Sequence, residues 1–296
     1  MKLATIRRPD GSTSAVRITG DEAVELAARD VGELLARPDW RGLAAAQAGS
    51  PPGRRLPLDE VDYAPVVPHP EKIFCVGLNY RHHIMEMGRD LPTHPTVFAK
   101  FARSLTGPYD GIALPPESAQ VDWEAELALV VGAVVRRATV EEAAAAIAGY
   151  AVVNDVTVRD YQYRTTQWLQ GKCWEAMTPF GPWLVTADEF DPATATLSCA
   201  VDGEVVQRAP VADLVFDRAT LVSYLSSIVT LVPGDVVATG TPGGVGHARR
   251  PPRYLRGGQL LTTRIDGLGE CRNPVLAATD PELADELTVA GGRTHA

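Results

Sequence analysis

The chain has little of what would mark it as exported, membrane-bound or wrapped on nucleic acid. Its four cysteines, Cys75, Cys173, Cys199 and Cys271, are widely spaced, with no Cys-x-x-Cys pair. That argues against a thiolate zinc site and fits reduced thiols in cytosol. Cys173 follows a lysine, but no second signal marks it as a reactive thiolate. Long apolar runs are missing as well. The longest, Ala125 to Val135, is interrupted by Glu126 and is too short to span a bilayer, and Met1 to Thr5 lacks the apolar stretch of a signal peptide. Positive charge is in deficit, with a formal net charge of −9, so there is no general attraction to phosphate backbones or anionic lipid. The local cluster Arg249-Arg250, Arg253 and Arg256 reads as a solvated loop. The expectation is a cytoplasmic chain with neither nucleic acid nor membrane as partner.

What is present is ordinary for a globular protein. The 296 residues are 45% hydrophobic and 22% charged, enough for one large domain plus a small one. Residues 1–65 read as a small α/β unit. Lys2–Arg7 and Ser14–Ile18 flank the turn Pro9-Asp10-Gly11 and predict a hairpin. Glu22–Leu35 carries apolar residues at helical spacing. The cluster Gly49-Ser50-Pro51-Pro52-Gly53 marks a loop, and Pro65, Pro68 and Pro70 mark a connector.

Residues 70–285 read as a strand-rich domain, followed by a polar tail, 286–296. Strands are expected at Ile73–Val76, at Trp123–Val131, at Tyr150–Val153 and at five further places up to Leu260–Ile265. A helix is expected over His82–Met87. Thr139-Val140-Glu141-Glu142 is a capping box that opens an alanine-rich helix closing at Gly149. Asp202-Gly203 and Asp266-Gly267 are hairpin turns.

Several groups could carry chemistry. Glu124 and Glu126 are two apart on a predicted strand and leave the same face, where two carboxylates repel unless a cation or proton lies between them. Asp155 ends another apolar strand. Carboxylate oxygens suit magnesium, manganese or calcium better than zinc. Spacing alone would leave Glu-x-Glu on the solvent face of an edge strand. His83 and Glu86 are three apart and share a helix face, so the carboxylate could orient the imidazole as a general base. Lys172 stands between Trp168 and Trp174, either desolvated or snorkelling outward. Arg159 and Gln162 follow Asp155 closely enough for one turn to face them inward together. Thr239-Gly240-Thr241-Pro242-Gly243-Gly244-Val245-Gly246 follows an apolar strand, and its glycines allow amides to point at an anion.

Taken in order, these pieces resemble the fumarylacetoacetate hydrolase family, in its acylpyruvate hydrolase and 2-hydroxyhepta-2,4-diene-1,7-dioate isomerase-like branch. The matches are Gly77-Leu78-Asn79-Tyr80-x-x-His83-x-x-Glu86, Asp122-Trp123-Glu124-x-Glu126-Leu127 and Asn154-Asp155-Val156-Thr157-x-Arg159-Asp160-x-Gln162. Gly171-Lys172, Pro179-x-Gly181-Pro182, Pro233-Gly234-Asp235 and the Gly240–Gly246 stretch complete the series. The resemblance covers about residues 70–276. It implies an α+β fold, with a mixed β-roll or β-sandwich catalytic domain, usually dimeric. It implies Mg2+ or Mn2+, with Ca2+ a further candidate, held by Glu124, Glu126 and Asp155.

It also implies a small 2-oxo or 2,4-dioxo acid as substrate. The leading expectation is hydrolysis of a C–C bond in an acylpyruvate. His83, oriented by Glu86, activates water, while Lys172 and amides near Thr241 stabilise the oxyanion. Arg159, Gln162, Gly240 and Thr241 hold substrate oxygens. The alternatives are decarboxylation, enol–keto isomerisation or hydration, and, further off, a family member without catalysis. One departure is visible: Glu175 stands where many members have aspartate.

Overall fold

The structure, a computed structural model, describes residues 1–46, 54–86, 88 and 90–277, without the side chains of His83 and Glu86. The expected loop at 49–53 and the tail at 286–296 lie outside the described residues. The fold is mixed α+β, mostly sheet with few helices, as expected.

The main sheet runs, edge to edge, Arg55–Pro57, Glu22–Glu25, Thr13–Thr19, Lys2–Arg7, Thr178–Thr186, Ile147–Asn154, Ala125–Val131, Val236–Ala238, Ile73–Gly77 and Thr96–Lys100. The strands of residues 1–65 therefore continue the sheet that carries the rest of the chain, through Lys2 and Leu3 paired with Val185 and Leu184. A second sheet runs Glu204–Pro210, Thr196–Val201, Leu260–Ile265, Gly269–Leu276 and Ile112–Ala113.

Alternation along Ala125–Val131 assigns its two faces. Leu127, Leu129 and Val131 pack with Leu197, Val201, Leu261 and Ile265 between the two sheets. Ala128 and Val130 turn the other way, onto a core with Val31, Leu34 and Trp40 from the N-terminal helices. Such a strand is apolar on both faces, and for that reason Glu126 within it is buried.

Three local expectations change. Glu22–Leu35 is not one helix. Glu22–Glu25 pairs with Thr13–Thr19 as a strand, and the helix Val31–Leu35 starts only at Asp30, whose side chain caps the Glu33 amide. The hairpin turn at Gly20, at φ 60°, favours sheet pairing over the apolar spacing. The strand expected over Trp123–Val131 breaks at Trp123–Glu124, where the Trp123 amide turns onto the Asp122 side chain and the Glu124 amide onto Asn154. The capped helix spans Val140–Ala145 with its capping box intact, yet Gly149 lies inside the next strand. A Cβ at Gly149 would come within 2.9 Å of the Thr186 Cα, so this glycine serves close strand approach and not helix termination.

Candidate active site

The ladder between Ala125–Val131 and Ile147–Asn154 decides which carboxylates meet. Ala125 pairs with Asn154 at its end, so the next residues outward, Glu124 and Asp155, leave the ladder side by side. The Asp155 amide donates to the Glu124 carbonyl at 2.8 Å. On the other flank Ala238 sits opposite Ala128. Two residues further on, the Gly240 amide donates to Glu126 Oε2 at 2.8 Å. Gly240 holds φ 103°, and a Cβ there would lie 2.9 Å from the Val76 carbonyl, so only glycine brings this amide so close. Glu124, Glu126 and Asp155 are all buried, and each offers an oxygen within 4.8 Å of the others. Hard cations bind oxygen at about 2.0–2.6 Å, so ligand oxygens across one ion stand about 4–5 Å apart. An all-carboxylate set of this spacing fits Mg2+, Mn2+ or Ca2+.

The chain's own cations crowd the same place. Lys172 ends the short helix Leu169–Lys172 and is 2% exposed, so it does not snorkel. Its Nζ lies 2.7 Å from Glu124 Oε2 and 2.7 Å from Asp155 Oδ2, 5.0 Å from the centre of the Phe98 ring. Trp168 packs edge-on to Phe98 and fills the space Gly77 leaves open; a Cβ on Gly77 would lie 2.5 Å from that indole. Lys100, at the end of Thr96–Lys100, reaches the other oxygen of Asp155 at 2.6 Å. Arg159 and Gln162 lie on one turn, Arg159–Gln162, and both are buried. The guanidinium Nη1 donates to Glu124 Oε1 at 2.6 Å and to Gln162 Oε1 at 2.9 Å, while buried Nη2 has no partner among the described residues.

Electrostatics in this cluster are finely divided. Among the described side chains, buried Asp122, Glu124, Glu126 and Asp155 face buried Lys100, Arg159 and Lys172, four acids against three bases and a formal surplus of one negative charge. Burial would raise the Asp155 carboxyl, but Lys100 and Lys172 outweigh it and hold it below the usual range. Among the described residues Glu126 has no lysine or arginine in contact; burial first, then the charges of Asp155 and Glu124, push its carboxyl well above the usual value. Burial would lower the Lys172 ammonium, but Asp155 and Glu124 raise it overall, so it stays charged at neutral pH. A carboxylate whose charged form is opposed by burial and by two like neighbours is where a cation adds most.

Residues 72–276 match the fumarylacetoacetate (FAA) hydrolase C-terminal family. The chain belongs to the fumarylacetoacetate hydrolase family. Its relatives include a mitochondrial oxaloacetate tautomerase of Rattus norvegicus, 43% identical over 223 residues that cover 75% of this chain and 71% of the relative. The fold matches a fumarylacetoacetate hydrolase from Exiguobacterium antarcticum with a TM-score of 0.83 and 33% identity, over 94% of this chain and 99% of the other. It also matches a 2-hydroxyhepta-2,4-diene-1,7-dioate isomerase from Mycobacterium marinum with a TM-score of 0.75 and 31% identity, over 95% of this chain and all of the other.

Within this family member, the expected site residues fall in three groups. Glu124, Glu126, Asp155, Lys172, Arg159 and Gln162 converge. Gly240 and Thr241 adjoin them, but both are already engaged. The Gly240 amide serves Glu126, and the Thr241 hydroxyl donates to the Ala125 carbonyl at 2.9 Å while accepting from Gln207 at 2.8 Å. His83 and Glu86 lie on the helix Arg81–Glu86, with side chains outside the described residues. Glu175 pairs with Arg103 at 2.7 Å near the surface. Of the arginine cluster, Arg249 donates to backbone carbonyls and Arg253 pairs with Glu204.

Sequence reasoning missed Lys100, which no motif singles out from an ordinary strand-end lysine. It also missed Asp122, although that residue heads the Asp122-Trp123-Glu124 stretch. A cleft of about 530 Å³ between residues 114–119 and 252–256 holds none of the carboxylates. A smaller one of about 190 Å³ is lined by Tyr80, Arg208, Asp213, Pro242 and Gly243 among others, directly after Gly240 and Thr241. The Tyr80 hydroxyl is buried without a partner among the described residues.

Proposed function

We propose that this protein is a divalent-metal enzyme that interconverts the enol and keto forms of a small 2-oxo acid, with oxaloacetate the first substrate to test. The observation that carries the reading is the buried three-carboxylate cluster, in which Glu126 has no lysine or arginine in contact among the described residues. Similarity to oxaloacetate tautomerases supports the choice of reaction.

Glu124, Glu126 and Asp155 would hold the cation. Bound there, Mg2+ or Mn2+ supplies Lewis acidity that draws charge from the enolate as the proton leaves carbon. With such an ion the described buried charges, Asp122 included, would pass from a formal −1 to +1, the sign that attracts a dicarboxylate into a buried place. Lys172 stays protonated and holds Glu124 and Asp155 in fixed orientation. Arg159 offers its unpaired Nη2 to a substrate oxygen. The proton would move by way of His83, oriented by Glu86, a role assigned from their place in the motif. Conversion of enolic oxaloacetate, followed by ultraviolet absorbance, tests the reading. The rate should fall to the uncatalysed level in chelator and return with Mg2+ or Mn2+; a rate indifferent to both would sink it.

A second reading is hydrolysis of a C–C bond in an acylpyruvate, favoured by the likeness to a fumarylacetoacetate hydrolase. It needs an attacking water in addition to the enolate site. Release of pyruvate and a carboxylic acid from a 2,4-dioxo acid would select it. The proposal includes a homodimer. Exposed Phe101, Tyr163 and Leu169 sit beside the elements that carry Lys100, Arg159, Gln162 and Lys172, where a second copy would cover them. Among the described residues no helix is long and apolar enough to cross a membrane. All four cysteines are free, which suits the cytoplasm expected from the sequence and equally the mitochondrion named for the relatives.

A further inference from the structure

Asp122 is fully buried, two residues before Glu124 and outside the carboxylate cluster. Its oxygens are completely used. Oδ1 accepts from the Trp123 amide at 2.8 Å and from the Gly246 amide at 2.7 Å. Oδ2 accepts from the His247 amide at 2.9 Å and from Arg159 Nε at 2.8 Å. No lone pair is left for a metal or a substrate, so whatever Asp122 does is done through the groups it holds.

Those groups come from two separate segments, the stretch around Gly246 and the turn Arg159–Gln162. Gly246 closes the loop that begins at Thr241, and it is pressed onto Asp122. A Cβ there would meet the Arg253 carbonyl, with Asp122 Oδ1 at 2.8 Å and the Trp123 ring at 2.9 Å. Arg159 shares Asp122 Oδ2 with the His247 amide. A guanidinium is planar with five N–H donors in a fixed fork. Nε goes to Asp122, Nη1 goes to Glu124 and Gln162, and Nη2 is the edge that remains. Two carboxylates gripping adjacent edges leave that plane no freedom to turn.

We propose that Asp122 is a positioning residue, which locks the Arg159 guanidinium between itself and Glu124 so that Nη2 is presented to an oxygen of the bound 2-oxo acid. The same carboxylate ties the Thr241–Gly246 loop to Arg159, so the loop and the guanidinium move as one body. This rests on the reading of the site given above. Asp122→Asn keeps the shape but turns one acceptor into a donor. Whichever way the amide faces, two N–H donors meet an NH2 group, and Arg159 loses one of its two carboxylate partners.

The probe is oxalate, a planar dianion that resembles the enolate of a 2-oxo acid, titrated by calorimetry into protein saturated with Mg2+. Asp122→Asn should weaken oxalate by about ten- to a hundredfold, the span of one charge-assisted hydrogen bond, and do so by a clearly larger factor than any change in Mg2+ affinity. Arg159→Lys should weaken it similarly, and the two losses should not add in the double variant, because they break one linkage. A merely structural role for Asp122 predicts a lower Tm with additive losses, and that result overturns the proposal. Oxalate binding unchanged in Asp122→Asn, or absent in the wild type, overturns it too. Should Asp122→Asn fail to fold, wild-type oxalate affinity in Arg159→Lys decides against it. Oxalate binding by a wild type that turns over no 2-oxo acid would instead sink the proposed function and leave the role of Asp122 standing.

Discussion

Asp235 and Glu126 are both buried carboxylates, Glu126 within Ala125–Val131 and Asp235 just before the flanking strand Val236–Ala238, and they are held in different ways. Asp235 closes its own account. One oxygen accepts from the Lys72 amide at 3.0 Å, the other from the Val232 amide at 2.8 Å, and Lys72 Nζ lies 2.9 Å away. It is a tie between a turn and a strand. Glu126 has one amide, two carboxylate neighbours and, among the described residues, no lysine or arginine in contact. Burial alone therefore says little about function. What separates the two is whether the chain supplies the counter-charge itself or leaves room for one from outside.

The difference can be broken most severely at Lys172. Lys172→Met should remove the cation between Glu124 and Asp155 and cost about 3–5 kcal/mol in chelator, as for other buried pairs stripped of one partner. Mg2+ should restore much of that loss, measured as ΔG from urea unfolding with and without the ion. Glu126→Gln comes next. It should abolish Mg2+ binding and slow oxaloacetate conversion at least about a hundredfold, the scale on which a lost stabiliser of developing charge is felt. Thermal melting in chelator should show no loss of stability, because repulsion with Glu124 and Asp155 is relieved.

The same carboxylate sets a pH dependence. Its folded pKa is raised, so in chelator the folded chain takes up a proton more readily than the unfolded one. The stability Glu126 contributes is full below the ordinary carboxylate value and is lost as pH rises through the raised one. Mg2+ competes with that proton, so its affinity should climb with pH through the same window and then level off. Calorimetry in buffers of different ionisation enthalpy should register about one proton released per ion at the lower pH. Smallest of all, Asp235→Asn should cost about 1–3 kcal/mol of stability and leave Mg2+ affinity and turnover unchanged. Any loss of metal binding there would erase the contrast.

Much of the site was legible because its residues arrive in a fixed order along the chain. Glu124, Glu126, Asp155, Arg159, Gln162 and Lys172 do converge, although spacing by itself would have left the glutamates on a surface. Lys100 was not legible. It ends a strand, and only the register Ile73 opposite Lys100, a pairing set by tertiary structure, turns it toward Asp155. Asp122 stood inside a quoted stretch, but its work lies in contacts to residues more than a hundred positions away. In the fold, hairpins and the capping box were readable from local chemistry. Glu22–Leu35 misled because a strand edge and a helix face share apolar spacing over so short a span.

The pairing of Ala125 with Asn154 has one more consequence, for how chains of this kind can change in length. Side chains on a strand alternate with a period of two, so one residue gained or lost within Ala125–Val131 would swing Glu126 into the apolar layer between the sheets. A deletion in Ile147–Asn154 would carry Asp155 away from Glu124 in the same manner. The connection between them, residues 132–146 with its capped helix, holds no group of the site. Variation in length is tolerated there and barred on either side, and related sequences aligned on the two strands should place their gaps accordingly.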